Sequence, residues 1–367
     1  MALNILITGV TGYIGGDITH AVVERFPEYE YTFLVRNEER AKVVKAKYPK
    51  ASYVYGSLDD GAVIEKAAAK ADVVIHDVSS AETIAKGLEA GHSAERPGYW
   101  IHTSGTGILQ YLCWLRCLIH DTLHSRTGQP PHPGDSYDDV ADIFLITSFP
   151  QAASHRPIDA LVQATARRNG AAVRTAIVCP PTIYGVGRGP GNTRSIQVPD
   201  LIKTSLKLGF VPFVGTGLTE WDQVHVADLA DLYVRLLEKA VATVMGEEEH
   251  EEEVFGEKAY YFAEAGAHRW VDVAGWVADE LTKQGYSSEP KTQSVDTDTA
   301  VKEGGPVAVT WGLNTKGFAN RARKYLGWKP TRESLKESIP EAVNLEAKAL
   351  GLEHTTARGH RLSMPSA

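Results

Sequence analysis

Cysteine is scarce in this chain, with three residues in 367. That is too few for a disulfide framework or a four-thiolate metal site. Cys113 and Cys117 stand one helical turn apart with no second pair nearby, so they read as structural. An excess of basic residues is also missing: 38 Lys and Arg face 46 Asp and Glu, a formal charge of -8. A nucleic-acid partner requires the opposite balance and is not expected. No run of about twenty apolar residues is present to cross a bilayer. The first apolar run starts at Leu3, which leaves no room for a secretory leader ahead of it. The C-terminal Ser-Met-Pro-Ser-Ala matches no retention or peroxisomal signal. The expectation is a cytoplasmic protein with a small-molecule substrate, no membrane contact and a homodimer left open. One more absence matters later: no lysine lies between Arg116 and Lys203.

The strongest feature present is the N-terminal stretch. Leu3, Ile5, Leu6 and Ile7 read as a buried strand, which breaks into Gly9, Gly12 and Gly15. Past Gly16 the spacing of Ile18, Ala21 and Val22 is helical. Strand, glycine turn and helix is the order that cradles a pyrophosphate. Glycines let the backbone approach the phosphates, and the helix start offers free N–H groups. Thr11, Tyr13 and Ile14 fall inside that turn.

Tyr31 to Arg36 reads as a second strand ending in a base. An acid there would bind a free ribose 2′-hydroxyl, whereas an arginine pairs with a 2′-phosphate. Arg36, with Arg40 close by, therefore favours NADP over NAD. A third strand precedes Leu58, where an adenine edge can rest, and a fourth ends near Val78 and Ser79. The fifth opens into Ser104-Gly105-Thr106-Gly107, two hydroxyls placed to face a substrate carbonyl. Residues 107–136 read as a mobile insertion over the cleft; their histidines fit no ligand template, and no metal is expected.

By these residues the chain resembles the extended short-chain dehydrogenase/reductase superfamily, of the epimerase/dehydratase-like kind. Thr8 to Gly15 is similar to its cofactor loop, and Cys179-Pro-Pro-Thr-Ile-Tyr-Gly185 to its segment beside the nicotinamide, which implies Pro180 at the cofactor and Tyr184 at the substrate. Val224-His-Val-Ala-Asp228 and Leu326-Gly-Trp-Lys-Pro330 are similar to two further family motifs. The resemblance implies an α/β fold: a Rossmann-type doubly wound parallel sheet in residues 1–185, with 222–264 returning to it. Residues 186–221 and 265–355 would build a smaller substrate lobe, with 356–367 as a tail.

The family's Y-x-x-x-K pair has no counterpart. Its positions fall near Gln151 and His155, on a helix expected to begin at Gln151. Catalytic duty would then rest on Ser104, with Tyr137 or His155 as proton donor, His155 also lying against the cofactor. Arg188 and Arg194, in a glycine-rich loop, can clamp a carboxylate or phosphate of the substrate. The expected function is an NADP-dependent oxidoreductase, of reductase or epimerase type, acting on a small carbonyl or hydroxyl compound. Its alternatives are an NADP-binding regulator without turnover and a non-redox lyase or isomerase in the same pocket.

Overall fold

The computed structural model describes residues 2–77, 80–111 and 127–352. Its first part alternates short apolar strands with helices: β1 (Asn4–Ile7), α1 (Tyr13–Arg25), β2 (Glu30–Val35), α2 (Glu38–Lys47), β3 (Ser52–Tyr55), α3 (Gly61–Ala68), β4 (Val73–Asp77), α4 (Ala81–Gly91) and β5 (Gly98–Thr103). Next come β6 (Tyr137–Asp138), α5 (Ile143–Thr147), α6 (Arg156–Asn169), β7 (Val173–Cys179) and β8 (Thr182–Tyr184).

The second part holds α7 (Gln197–Leu208), β9 (Val211–Val214), β10 (Glu220–His225), α8 (Val226–Val244), β11 (Tyr260–Phe262) and β12 (Ala267–Arg269). It closes with α9 (Trp270–Lys283), β13 (Thr292–Val295), α10 (Thr297–Gly304), β14 (Gly317–Phe318), α11 (Asn320–Leu326) and α12 (Leu335–Ala349).

Seven strands form one parallel sheet in the order β11-β7-β5-β4-β1-β2-β3. Helices cover such a sheet on both faces, so its central strands carry few polar residues. β5 is buried at all six positions, Trp100 and Tyr99 completely. Strand order reverses between β1 and β4, which opens a crevice at the strands' carboxyl ends where ligands bind in such sheets. A second core, built on Trp270, Trp311, Ile202, Val277 and Leu335, unites α7, α9 and α12. The remaining strands form the small sheets β12-β10-β8, β13-β9 and β14-β6.

Two local expectations change. The helix expected from Gln151 starts at Arg156, and Gln151 is exposed in the turn before it. Pro157 has no N–H and is tolerated only in a first turn, so it pins the helix start beside itself. Within the insertion, residues 112–126, which include Cys113 and Cys117, lie outside the described residues. Its later part is laced to the second core rather than loose. Gly128 N–H donates to the Gly312 carbonyl (3.0 Å), Leu218 N–H to that of Gly128 (3.1 Å), and the Asn314 amide to that of Gln129 (3.1 Å). Among the described residues, no helix is long and apolar enough to cross a membrane.

Candidate functional site

The glycine turn is built by contacts that exclude side chains. Gly9 has φ +70°, a left-handed conformation that glycine adopts without strain. A Cβ on Gly15 would lie 2.4 Å from the Gly9 carbonyl oxygen, so α1 packs on β1 at a distance only glycine permits. The helix starts at Gly12 with no side-chain cap and no acid in its first turn, leaving those N–H groups for an anion. Partly buried Ile14 packs against the core beside them. Arg36 is exposed at the end of β2; among the described residues neither its guanidinium nor that of Arg40 has an acidic partner. The partly buried Leu58 lies beyond β3, its carbonyl accepting the Ser80 hydroxyl. Val78 and Ser79 lie outside the described residues. An uncapped helix start, a turn with no side-chain bulk and a free arginine at the ribose end fit a dinucleotide.

The loop from Val186 to Arg194 lies across this turn. The Tyr13 hydroxyl donates to the Gly185 carbonyl (2.6 Å), and Asn192 N–H to that of Thr11 (2.9 Å). A Cβ on Gly189 would strike Gly16, and one on Gly191 would lie 2.3 Å from the Thr11 carbonyl oxygen. The two arginines of the loop are both committed. Arg188 binds Asp17 through Nε (3.0 Å) and Nη2 (2.6 Å), while Arg194 takes Glu346 in the same two-pronged way and also Asp200 (2.8 Å). The substrate clamp expected of them is therefore corrected: their forks serve carboxylates of the chain. Tyr184 likewise spends its hydroxyl on the Glu333 carbonyl (2.8 Å). Its ring helps line a largely apolar pocket of about 210 Å³ with Val186, Val198, Leu335 and Leu345.

Ser104 follows β5 at the crevice floor. Its hydroxyl donates to Asp159 Oδ2 (2.9 Å), and Tyr260 of β11 donates to the same oxygen (2.8 Å). Burial pushes the Asp159 carboxyl up to about 6, against the pull of those two hydrogen bonds. Cys179, wholly buried, lies beside Ser104 and Tyr260, and burial pushes its thiol up. Thr106 is buried, its N–H on the Pro180 carbonyl (3.1 Å) and its hydroxyl 3.4 Å from Thr315 of the second lobe.

His155 caps α6 with φ +66°, a strained conformation for a residue with a side chain. A Cβ on Gly105 would lie 2.8 Å from its Nε2, so the imidazole rests directly on the Ser104 turn. Burial lowers its pKa, keeping it neutral. Tyr137 is different: it is 1% exposed, its ring edge-on to Phe149 at 5.8 Å, within the core of the large sheet. The expectation of Tyr137 as a cleft phenol is corrected to a core position. Its strand is one of two residues and is held by Gly317, which fixes the side chain inward.

Sequence reasoning missed Asp17, Asp159 and Tyr260. The one signal for Asp159 was its place four residues after His155, one helical turn along α6. Among the described residues no cluster of His, Cys, Asp or Glu has the makings of a metal site.

With this geometry in view, the chain can be set beside known proteins. The sequence model of the NAD dependent epimerase/dehydratase family matches residues 5–248. A protein of an Acremonium species named oxidase ucsJ is 33% identical across 96% of this chain and all of its own length. The dTDP-glucose 4,6-dehydratase DesIV of Streptomyces venezuelae, solved with NAD and TYD bound, superposes with a TM-score of 0.62 at 16% identity, covering 95% of this chain and 98% of that one. The UDP-glucose 4-epimerase of Thermotoga maritima, solved with UDP-glucose, gives 0.60 at 15% identity over 95% and 100%. At those identities the two structures speak for the fold alone.

Proposed function

The chain belongs to the NAD dependent epimerase/dehydratase family, and on that premise we propose that it is an NADP-dependent oxidoreductase acting on a small carbonyl or hydroxyl compound. Membership makes it an NAD(P)-dependent enzyme of oxidoreductase, epimerase or dehydratase type; the choice of NADP and of plain reduction or oxidation is the step proposed. The observation that carries it is the contrast among arginines. Arg188 and Arg194 are neutralised by carboxylates, whereas Arg36, where a ribose 2′-substituent lies in such folds, has no acidic partner among the described residues. The name oxidase on the Acremonium relative supports a redox reaction over a lyase or isomerase.

When bound, the cofactor supplies or accepts the hydride. The chain's own residues do the rest: the glycine turn holds the pyrophosphate, Arg36 the 2′-phosphate, and the crevice floor presents Ser104 and His155 to the reacting oxygen. His155 stands where the family's lysine is expected, with its neutral imidazole against the Ser104 turn. The substrate lies between that turn and the second lobe, which approaches at Thr106 and Thr315.

Titration with NADPH and NADH, followed by nucleotide fluorescence, tests the cofactor. Tighter NADPH binding is expected, and equal affinity would remove the case for NADP. Oxidation of NADPH with a panel of aldehydes and ketones tests the reaction. Tight binding with no turnover across that panel would point instead to a regulator that reads the nucleotide.

A further inference from the structure

Beneath the crevice floor lies a polar cluster that the cofactor does not account for. Asp159 on α6 is 0% exposed, and its Oδ2 accepts both Ser104 (2.9 Å) and Tyr260 (2.8 Å). Its Oδ1 accepts no hydrogen bond from any described residue, and His102 Nε2 of β5 stands 3.8 Å away. Around it lie the Cys179 thiol from β7, Arg156 from its own helix, and the stacked rings of His102 and His76, 5.7 Å apart. His102 is held neutral by burial, so it supplies no compensating charge. A carboxyl so enclosed is costly to ionise, and a structural role would be served as well by an amide. Of Asp159, Tyr260, Cys179 and Ser104, only Ser104 reaches the crevice, at 8% exposed.

We propose that Asp159 is the proton reservoir behind Ser104, the two together supplying the acid that the family draws from its tyrosine and lysine. This rests on the oxidoreductase reading above. In the reducing direction the carbonyl carbon gains a C–H bond from the cofactor's hydride, and the C=O π pair moves to oxygen. That oxygen forms its O–H bond with the Ser104 proton as the Ser104 O–H bond breaks. While Asp159 is protonated the same contact runs the other way, the acid donating to Ser104 Oγ; Ser104 Oγ takes that proton as it gives up its own, and Asp159 is left as the carboxylate that accepts Ser104 and Tyr260. When product leaves, water in the crevice restores the proton through the same serine. In the oxidising direction each transfer runs backwards. Asp159 touches no substrate and is a positioning and proton-storing residue; Ser104 is the group in contact.

The burial that raises Asp159 to about 6 places its proton within reach of physiological pH. Infrared difference spectra of wild type against Asp159→Asn read this without any substrate. A protonated-acid carbonyl band is expected at pH 5 that fades as pH rises through about 6 and is missing from the variant. Ser104→Ala removes a hydrogen bond to the carboxylate and should move that fading to higher pH. No such band in wild type between about pH 5 and 8, or a band that Ser104→Ala leaves in place, overturns the proposal.

Turnover gives the second readout. With NADPH and a reactive aldehyde, Asp159→Asn should lower kcat about 100-fold, flatten the loss of kcat as pH rises through about 6 and leave NADPH affinity unchanged. A variant with the wild-type pH profile overturns the relay. Absence of any carbonyl turnover in wild type defeats the oxidoreductase reading instead, and the infrared result then decides the Asp159–Ser104 pair by itself.

Discussion

Asp17 in the second turn of α1 holds Arg188 by three bonds: one from the backbone N–H at 2.8 Å and two from the guanidinium at 3.0 and 2.6 Å. One wholly buried carboxylate thereby fastens the loop of Val186–Arg194 over the glycine turn, 171 residues away in sequence. Truncating Arg188 to Ala leaves that buried carboxylate with the backbone N–H but without its cation. Breaking such a pair costs about 3–5 kcal/mol, and the lower end applies because Arg188 is 30% exposed on its side chain. Replacing both partners, as Asp17→Asn with Arg188→Met, should cost less than Arg188→Ala alone. A double-mutant cycle by urea unfolding checks this; simple additivity would mean that the two side chains do not act as a pair.

Gly15→Ala attacks the same turn from inside. The new Cβ would lie 2.4 Å from the Gly9 carbonyl oxygen and 2.7 Å from its carbon, and backbone has nowhere to move. Overpacking of this kind costs about 1–3 kcal/mol and shifts α1 off β1, which spoils the phosphate seat. A lower melting temperature together with loss of NADPH binding is expected. Unchanged affinity in the variant would show that the pyrophosphate does not lie on this turn.

Arg36→Ala should weaken NADPH about tenfold and leave NADH unchanged, since a charge-assisted hydrogen bond contributes about 1.5–3 kcal/mol and this one is solvent-exposed. Stability should not move, because Arg36 has no acidic partner among the described residues to lose. Competitive titration of the two nucleotides measures both numbers. Equal losses for NADPH and NADH would place the residue on some shared part of the cofactor.

How much of this site was open to sequence reading depends on the distance over which each residue acts. Gly9, Gly12 and Gly15 announce a glycine turn because strand, turn and helix are contiguous, and the strand-to-helix alternation likewise exposes the parallel sheet. Arg188 and Arg194 looked like free cations because composition cannot show that Asp17 and Glu346 lie 171 and 152 residues off. Tyr137 looked like a proton donor at the cleft. Its burial follows from pairing with Gly317, a two-residue register with no periodicity to betray it. Asp159 meets Ser104 and Tyr260 only because α6 packs across β5, β7 and β11, bringing together residues 55 and 101 positions apart. His155 was singled out by its spacing from the Pro180 segment, which is local information, and the structure sets its imidazole against Gly105.

Acid sensitivity should come in measurable part from His268. It is 4% exposed on β12, its Nδ1 on Gln223 Oε1 at 3.0 Å and its ring edge-on to Trp270 at 4.9 Å. Burial lowers its pKa from 6.5 to about 3, so the folded chain keeps it neutral where the unfolded chain protonates it. The unfolded state thus binds the extra proton, and stability is lost as pH falls below 6.5 and is whole above about 7. At pH 5 the loss from this residue is about 2 kcal/mol, from 1.5 pKa units at about 1.4 kcal/mol each. His268→Asn keeps a donor for Gln223 and removes the titration. Its unfolding free energy should therefore fall less than wild type between pH 7.5 and 5, by about 2 kcal/mol. Every other titrating group is common to both proteins and cancels from the comparison. Parallel urea curves at the two pH values decide it: identical pH slopes would mean that the imidazole finds room to charge inside the fold.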